Sequence, residues 1–329
     1  MYVIYRDDRK LSKRKIIAFS LTSIVVVSLF SSWWYLNYSM VPRSDHYDPT
    51  SETQEEQPSQ YVTISVNLYE KNTQWVRDYV TDLPYCSSTI IYSISNHGTA
   101  SASDVEYTIY VNDNIYWQDT ISTLASQTSH SDQFSIQVDY DDQCQISLFA
   151  SCGDSSDRCD FVFEAILPRS PESVNLKKLF ITPDDPIVRN TVDNIMRNKF
   201  ILYPGWMAIK DWVAGEIEYS YDSTSHGTRN YWQLPRETIL SGSGDCEDFS
   251  ILKVSLLRAA GWSVNEAYVV VGCDTDGCHA WVRLNVDIIG WQNLEPQSGT
   301  IGWLLLGDYF WLGSFEDVYG FNDVDYEAL

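Results

Sequence analysis

The sequence predicts an α+β domain placed behind an all-β sandwich, with a single N-terminal membrane-spanning helix ahead of both. Three observations predict it. An apolar run without a charge occupies residues 16–36, short alternating runs with turn signals fill residues 61–167, and helical spacing takes over beyond a proline-rich joint at Leu167-Pro168-Arg169-Ser170-Pro171.

The apolar run Ile16 to Leu36 is long enough to cross a hydrocarbon core of ~30 Å as a helix. Arg6, Arg9, Lys10, Lys13, Arg14 and Lys15 precede it, whereas Arg43 alone follows closely. That asymmetry keeps residues 1–15 in the cytoplasm and sends the bulk of the chain outside. Trp33, Trp34, Tyr35 and Tyr38 suit the outer interface, so the span is set at 16–38. The bulky aromatics also stand where a signal peptidase needs small residues, which favours a signal anchor over a cleaved leader. Residues 39–60 are acidic, polar and proline-containing, and read as a solvated linker.

From 61 to 167 the runs TIIYSIS, VEYTIYV, FSIQV and QISLFA alternate apolar and polar residues between Asn-His-Gly, Asn-Asp-Asn and Asp-Asp-Gln turns, the pattern of a β-sandwich. The segment Ser95 to Val111 resembles the immunoglobulin-like adhesion modules found beside extracytoplasmic enzymes, which implies a spacer or binding role without catalytic residues. Residues 168–329 form the second domain with a C-terminal tail. In it, Asp184-Asp185-Pro186 caps and starts a helix with the stripe Ile187, Val188, Val192, Ile195 and Met196. A second helix is expected from Trp206 to Ile217.

The 329 residues are 44% hydrophobic and 14% aromatic, enough to build substantial cores. A formal net charge of -23 repels nucleic acid, and no polybasic patch offsets it. Nucleic acid is therefore not expected as a partner, whereas the membrane that holds the N-terminal helix is.

Seven cysteines in an outward-facing chain suggest disulfides with one thiol left over. Cys273 and Cys278 flank a turn-forming Asp-Thr-Asp-Gly run, Cys152 and Cys159 bracket a polar loop, and Cys86 with Cys144 could staple two strands or sheets. Cys246 is then the unpaired member. Connectivity stays open at this level.

Cys246 closes a glycine-rich turn and opens a run that puts Phe249, Leu252, Leu256 and Ala260 on one helix face, ended by Gly261. At a helix N-terminus the free N–H groups and the dipole favour the thiolate, the nucleophilic form. Some thirty residues on, Ala267 to Gly272 and His279 to Val286 read as strands, and Trp291 to Glu295 as the return after a turn. The return brings Glu295 or a neighbour back toward His279. A base and its carboxylate can thus come from adjacent strands, with the nucleophile on a helix packed against them.

Gly244-Asp245-Cys246-Glu247-Asp248-Phe249, Leu257-Arg258-Ala259-Ala260-Gly261, His279-Ala280-Trp281-Val282 and Asn293-Leu294-Glu295-Pro296 together resemble a transglutaminase-like, papain-related domain. Tyr231-Trp232-Gln233-Leu234-Pro235 is similar to the lead-in of the bacterial transglutaminase-like cysteine proteinases. The resemblance covers residues 175 to 315. It implies Cys246 as nucleophile, His279 as general base and Glu295 as orienting acid, where many members carry aspartate. Oxyanion donors would be the Cys246 backbone N–H and a group from Trp232 or Gln233.

Glu247 and Asp248 read as a solvated or helix-N-terminal charge pair in preference to a calcium site. A zinc set of Cys246, Cys273, Cys278 and His279 is disfavoured because neighbours in a strand point to opposite faces. No cofactor and no metal is expected, and His226 reads as a loop histidine. The reading is an extracytoplasmic thiol peptidase or amidase that acts on a protein or peptide at the cell surface through a thioester. A cross-linking transglutaminase, or a non-catalytic binding protein that keeps the fold, is the alternative.

Overall fold

A computed structural model describes residues 59–295 except 276 and 288, together with 297, 299 and 316–328. The expected membrane span, and the linker up to residue 58, lie outside the described residues. Among those described, no helix is long and apolar enough to cross a membrane.

The first module is built from seven strands in two antiparallel sheets. β1 (Ile64–Arg77), β2 (Pro84–Asn96) and β5 (Thr128–Asp139) form one sheet in the order β1-β2-β5. β3 (Ala102–Val111), β4 (Asn114–Leu124), β6 (Asp142–Cys152) and β7 (Ser155–Ala165) form the other in the order β4-β3-β6-β7. β2 alternates buried and half-buried positions along its whole length, as a strand with one core-facing side must. Ile90 and Ile94 from β2 meet Ile109, Ile146 and Leu148 from the opposite sheet in a core that excludes water. The Asn-His-Gly turn works through a close approach. Asn96 donates from Nδ2 to Ala100 O (2.8 Å) and Leu124 O (3.1 Å), and a Cβ on Gly98 would lie 2.1 Å from the Tyr61 carbonyl oxygen.

Cys86 and Cys144 lie in this core as free thiols on opposite sheets, and Cys152 and Cys159 are free as well. These two expected bridges are therefore corrected. Cys152 stands opposite Ser155 and Cys159 opposite Leu148, so the hairpin register separates them by four residues of strand. That is ~13 Å at the strand rise, twice the Cα reach of a disulfide. Cys273 and Cys278 do form a disulfide across their turn, with Cα atoms 4.0 Å apart.

In the second module, Ser173 caps α1 (Val174–Leu179), and Asp185 caps α2 (Pro186–Asn198) by accepting from Ile187 N at 2.8 Å. α3 (Gly205–Glu216), β8 (Glu218–Tyr219), α4 (Asp222–Ser225), α5 (Pro235–Ser241) and β9 (Ser243–Gly244) lead to α6 (Cys246–Ala259). Then come β10 (Ala267–Cys273), β11 (Cys278–Val286), β12 (Gly290–Leu294), β13 (Glu316–Phe321) and β14 (Tyr326–Ala328), paired in the order β12-β11-β10-β13-β14. The described end of the chain thus adds two strands to the sheet beside β10. α6 is buried on nearly all sides from Glu247 to Leu257, a wider burial than its one apolar stripe predicts. It packs on β10 and β11 and against α2, α3 and α5, and Gly261 ends it with φ +107°.

The two modules share packing. Trp75, Leu83 and Tyr140 of the sandwich lie against the core that contains Phe180, Phe249 and Val282. Arg77 donates to Ile181 O (2.6 Å), and Asp82 accepts from Asp184 N (2.7 Å).

Candidate active site

Cys246 is the first residue of α6, part-buried, with Asp245 as N-cap. The first turn is reciprocally capped: Asp248 accepts from Asp245 N at 3.3 Å while the Asp245 side chain accepts from the Asp248 backbone. Gly244 is required here, because a Cβ on it would lie 2.6 Å from Asp248 Cβ and 2.8 Å from Oδ2. The thiol donates to Glu247 Oε2 (3.3 Å), and the backbone N–H of Ala280 is directed at the sulfur. Cys246 therefore meets β11 one residue from His279.

His279 and Glu295 are brought into direct contact, Nε2 to Oε2 at 2.9 Å. The strand register places the two residues diagonally, since Val282 stands opposite Leu294. Trp281 Nε1 makes the parallel contact to Asn293 Oδ1 at 3.3 Å on the same face. With Nε2 donating to the carboxylate, Nδ1 is the basic nitrogen of the ring. Glu295 Oε1 also accepts from Gln297 N at 3.4 Å.

The two oxyanion candidates have other duties. Trp232 is a core aromatic, stacked on Phe321 with centroids 5.6 Å apart and edge-on to Phe180, with its Nε1 donating to Asn230 Oδ1 (3.2 Å). Gln233 is buried, and its amide donates to Asp248 Oδ2 (2.8 Å) and Ser243 O (3.1 Å) while its backbone donates to Asp248 Oδ1 (2.8 Å). In this structure these donors serve the core and the Asp248 carboxylate. The N–H groups of the first turn of α6, Cys246 among them, are the donors an oxyanion would meet.

Glu247 and Asp248 are buried, which corrects the solvated alternative for this pair. Asp222, Asp245 and Asp248 bring carboxylate oxygens within 4.8 Å of one another, and Asp245, Cys246 and Glu247 form a second such group. Asp222 Oδ1 and Asp245 Oδ1 are buried without a hydrogen-bond partner. Burial pushes the Asp248 carboxyl up to about 8 and raises Asp222, Glu247 and Asp245, the last also through a hydrogen bond shared with Glu247. Clustered hard oxygen donors with two unsatisfied atoms are the chemistry of a divalent cation site, and an ion there would replace the protons that the carboxyls otherwise retain.

The same carboxylates act on the Cys246 thiol. Burial, then Glu247 and Asp245, hold the Cys246 thiol well above its ordinary value. The helix dipole alone predicted the opposite direction; adjacent acidic residues and desolvation outweigh it. Nothing local in the sequence marks Asp222 as part of this cluster. Tyr219, which the sequence reading passed over, pairs with Gly244 and has its hydroxyl raised by burial and by Cys246. A separate cleft of about 300 Å³, lined by Asn194, Tyr203 and Trp212, shares no residue with this site.

Residues 189–296 match the model of the transglutaminase-like superfamily. Residues 80–156 match the CARDB model, within the immunoglobulin-like sandwich. Among solved structures, calcium-bound LapG of Legionella pneumophila is 17% identical, with 48% of this chain and 81% of that one covered at a TM-score of 0.32. A CARDB domain from Pyrococcus furiosus, solved with di-metal ions, is 10% identical over 34% of this chain and 100% of that one, at a TM-score of 0.26. No curated protein matches the chain.

Proposed function

We propose that Cys246, His279 and Glu295 form a thiol acyl-transfer site that hydrolyses an amide bond in a protein or peptide outside the membrane. The observation that carries the reading is the 2.9 Å contact between His279, on the strand β11 against which the Cys246 helix is packed, and Glu295, just past the end of β12. His279 Nδ1 takes the thiol proton, and Glu295 stabilises the resulting imidazolium. The thiolate adds to the substrate carbonyl, and the oxyanion meets the N–H groups of the first turn of α6. Collapse of the adduct breaks the C–N bond, the imidazolium protonates the departing amine, and a thioester remains. Water then adds with His279 as base, giving the acid and the free thiol. Hydrolysis is preferred to cross-linking because water is the ever-present acceptor.

A divalent cation would be held by Asp222, Asp245 and Asp248, and the buried Oδ1 atoms of Asp222 and Asp245, which have no hydrogen-bond partner, fit one. Its charge would lower the thiol pKa by offsetting the carboxylates that now raise it. The chain's own residues perform every proton transfer. We place the protein as a single-pass membrane protein held by residues 16–38, with the described modules outside; protease added to intact cells should cut between 39 and 60 while residues 1–15 stay protected.

The decisive experiment is acylation of the full-length protein by 4-nitrophenyl acetate, with peptide mapping of the adduct. Label at Cys246 that is lost in Cys246→Ser and in His279→Ala supports the reading. Equal labelling in the His279→Ala variant would refute it and favour a non-catalytic binding module.

A further inference from the structure

Arg169 lies in the joint between the modules and is nearly buried, yet it carries more polar contacts than its place in a linker explains. Its guanidinium forks onto Glu237, Nη1 to Oε2 at 2.6 Å and Nη2 to Oε1 at 2.8 Å. It also pairs with Asp141 in the turn between β5 and β6 of the sandwich, and donates to Trp232 O (3.3 Å). The Arg169 carbonyl accepts from Trp232 N at 2.7 Å, and the guanidinium lies over the rings of Tyr231 (5.0 Å) and Tyr140 (5.9 Å). Tyr140 and Asp141 belong to the sandwich, Tyr231 and Trp232 to the lead-in segment of the second module.

From Arg169 a continuous set of contacts runs to the nucleophile. Glu237 accepts from Leu234 N (2.7 Å) and so fixes the start of α5. Between Trp232 and Leu234 stands Gln233, whose backbone and side chain both hold Asp248 at 2.8 Å. Asp248 in turn accepts from Asp245 N, the residue that precedes Cys246. Arg169 is thus clamped to the residues on both sides of the one that sets the first turn of α6.

We propose, resting on the acyl-transfer reading above, that Arg169 is a positioning residue and that Asp141 makes the sandwich a working part of the site. The pair holds the Trp232–Gln233–Asp248 wall, and through it the N–H groups that face the oxyanion. A planar fork on two carboxylates fixes orientation, which an ammonium group cannot reproduce. Asp141 Oδ2 meets Arg169, while its Oδ1 accepts from Leu167 N (3.0 Å), a bond that Asp141→Asn retains, so that variant reports on the connection through Arg169 and not on the chemistry.

The test compares two reactions of the same thiol in the full-length protein. Acylation by 4-nitrophenyl acetate passes through an oxyanion, whereas alkylation by iodoacetamide does not. Displacement of the wall by a fraction of an ångström should slow acylation of Cys246 by about tenfold in Asp141→Asn and by about tenfold or more in Arg169→Lys. Alkylation should stay within about twofold of the parent, and Asp141→Glu, which keeps the carboxylate, should recover most of the acylation rate. Unchanged acylation in Asp141→Asn overturns the proposal. So does an equal fall in acylation and alkylation, the result of a merely loosened helix. A parent protein that is never acylated at Cys246 defeats the acyl-transfer reading and this inference with it, and is distinguished from the other failures by appearing before any variant is made.

Discussion

The two modules bury different things. In the sandwich, the positions with the least exposure are mostly aliphatic, such as Ile90, Ile94, Ile109, Ile146 and Leu148. In the second module Asp185, Lys210, Asp222, Asp245, Glu247, Asp248 and Lys253 are buried as well. An apolar core follows from period-2 patterning and gains from every side chain removed from water. Buried charge costs free energy unless it is paired, bonded or neutralised by a proton, and the acids among these residues gather around Cys246.

The sharpest way to break this comparison is to remove charge at the site without changing shape. Glu295→Gln should slow acylation by about two to four orders of magnitude, the range for neutralising the third member of such a set, with little change in Tm. Single-turnover acylation beside a melting curve measures both, and an unimpaired variant would shift the orienting role, with Asn293 next to test. The converse change in the sandwich is Leu148→Ala. It should cost about 2–5 kcal/mol of stability through lost burial and a cavity, while the acylation rate of the molecules still folded stays near the parent value. Chemical denaturation followed by activity at low denaturant checks it.

Gly244→Ala tests where the modules' two kinds of constraint meet. The added methyl collides with Asp248, so a loss of about 1–3 kcal/mol is expected together with slower acylation. Equilibrium denaturation of the variant measures the first and the ester assay the second.

The smallest expected effect is the most diagnostic of buried acids. Asp248 and its neighbours hold protons in the folded state to higher pH than in the unfolded chain, where carboxyls titrate near ~4. The folded state therefore binds more protons between about pH 4 and 8, and stability must fall as pH rises through that window. Tm should drop by a few degrees across it, and millimolar calcium should restore the loss at the alkaline end. A flat profile, or one rising with pH, would contradict the buried-acid account.

Much of the architecture is legible in the residues. The alternating run from Thr89 to Ser95 becomes the middle of β2, Asp185-Pro186 starts α2, and the turn before Cys246 opens α6, because each depends on neighbours within a few positions. The His279 and Glu295 contact was within reach too, since a short turn between two strands fixes their register. What was not legible depends on distant partners. Burial of Glu247 and Asp248 comes from Asp222 and Gln233, and Arg169 gains its meaning from Asp141 on one side and Glu237 on the other. The pairing of Cys152 with Cys159 failed for the same reason, since the hairpin register decides which residues face each other.

The turn between β11 and β12 carries a rule for how this domain can change. His279 meets Glu295, and Trp281 meets Asn293, because all four residues share one side of a two-residue repeat. Lengthening the loop between Val286 and Gly290 by one residue, with the β12 pairing shifted to match, would turn Glu295 away and bring Leu294 to the histidine. Lengthening it by two would preserve the side but slide the carboxylate along the strand. The acid's position is therefore counted in parity, and loop-length variants at this hairpin will sort into working and dead forms by whether the count is even or odd.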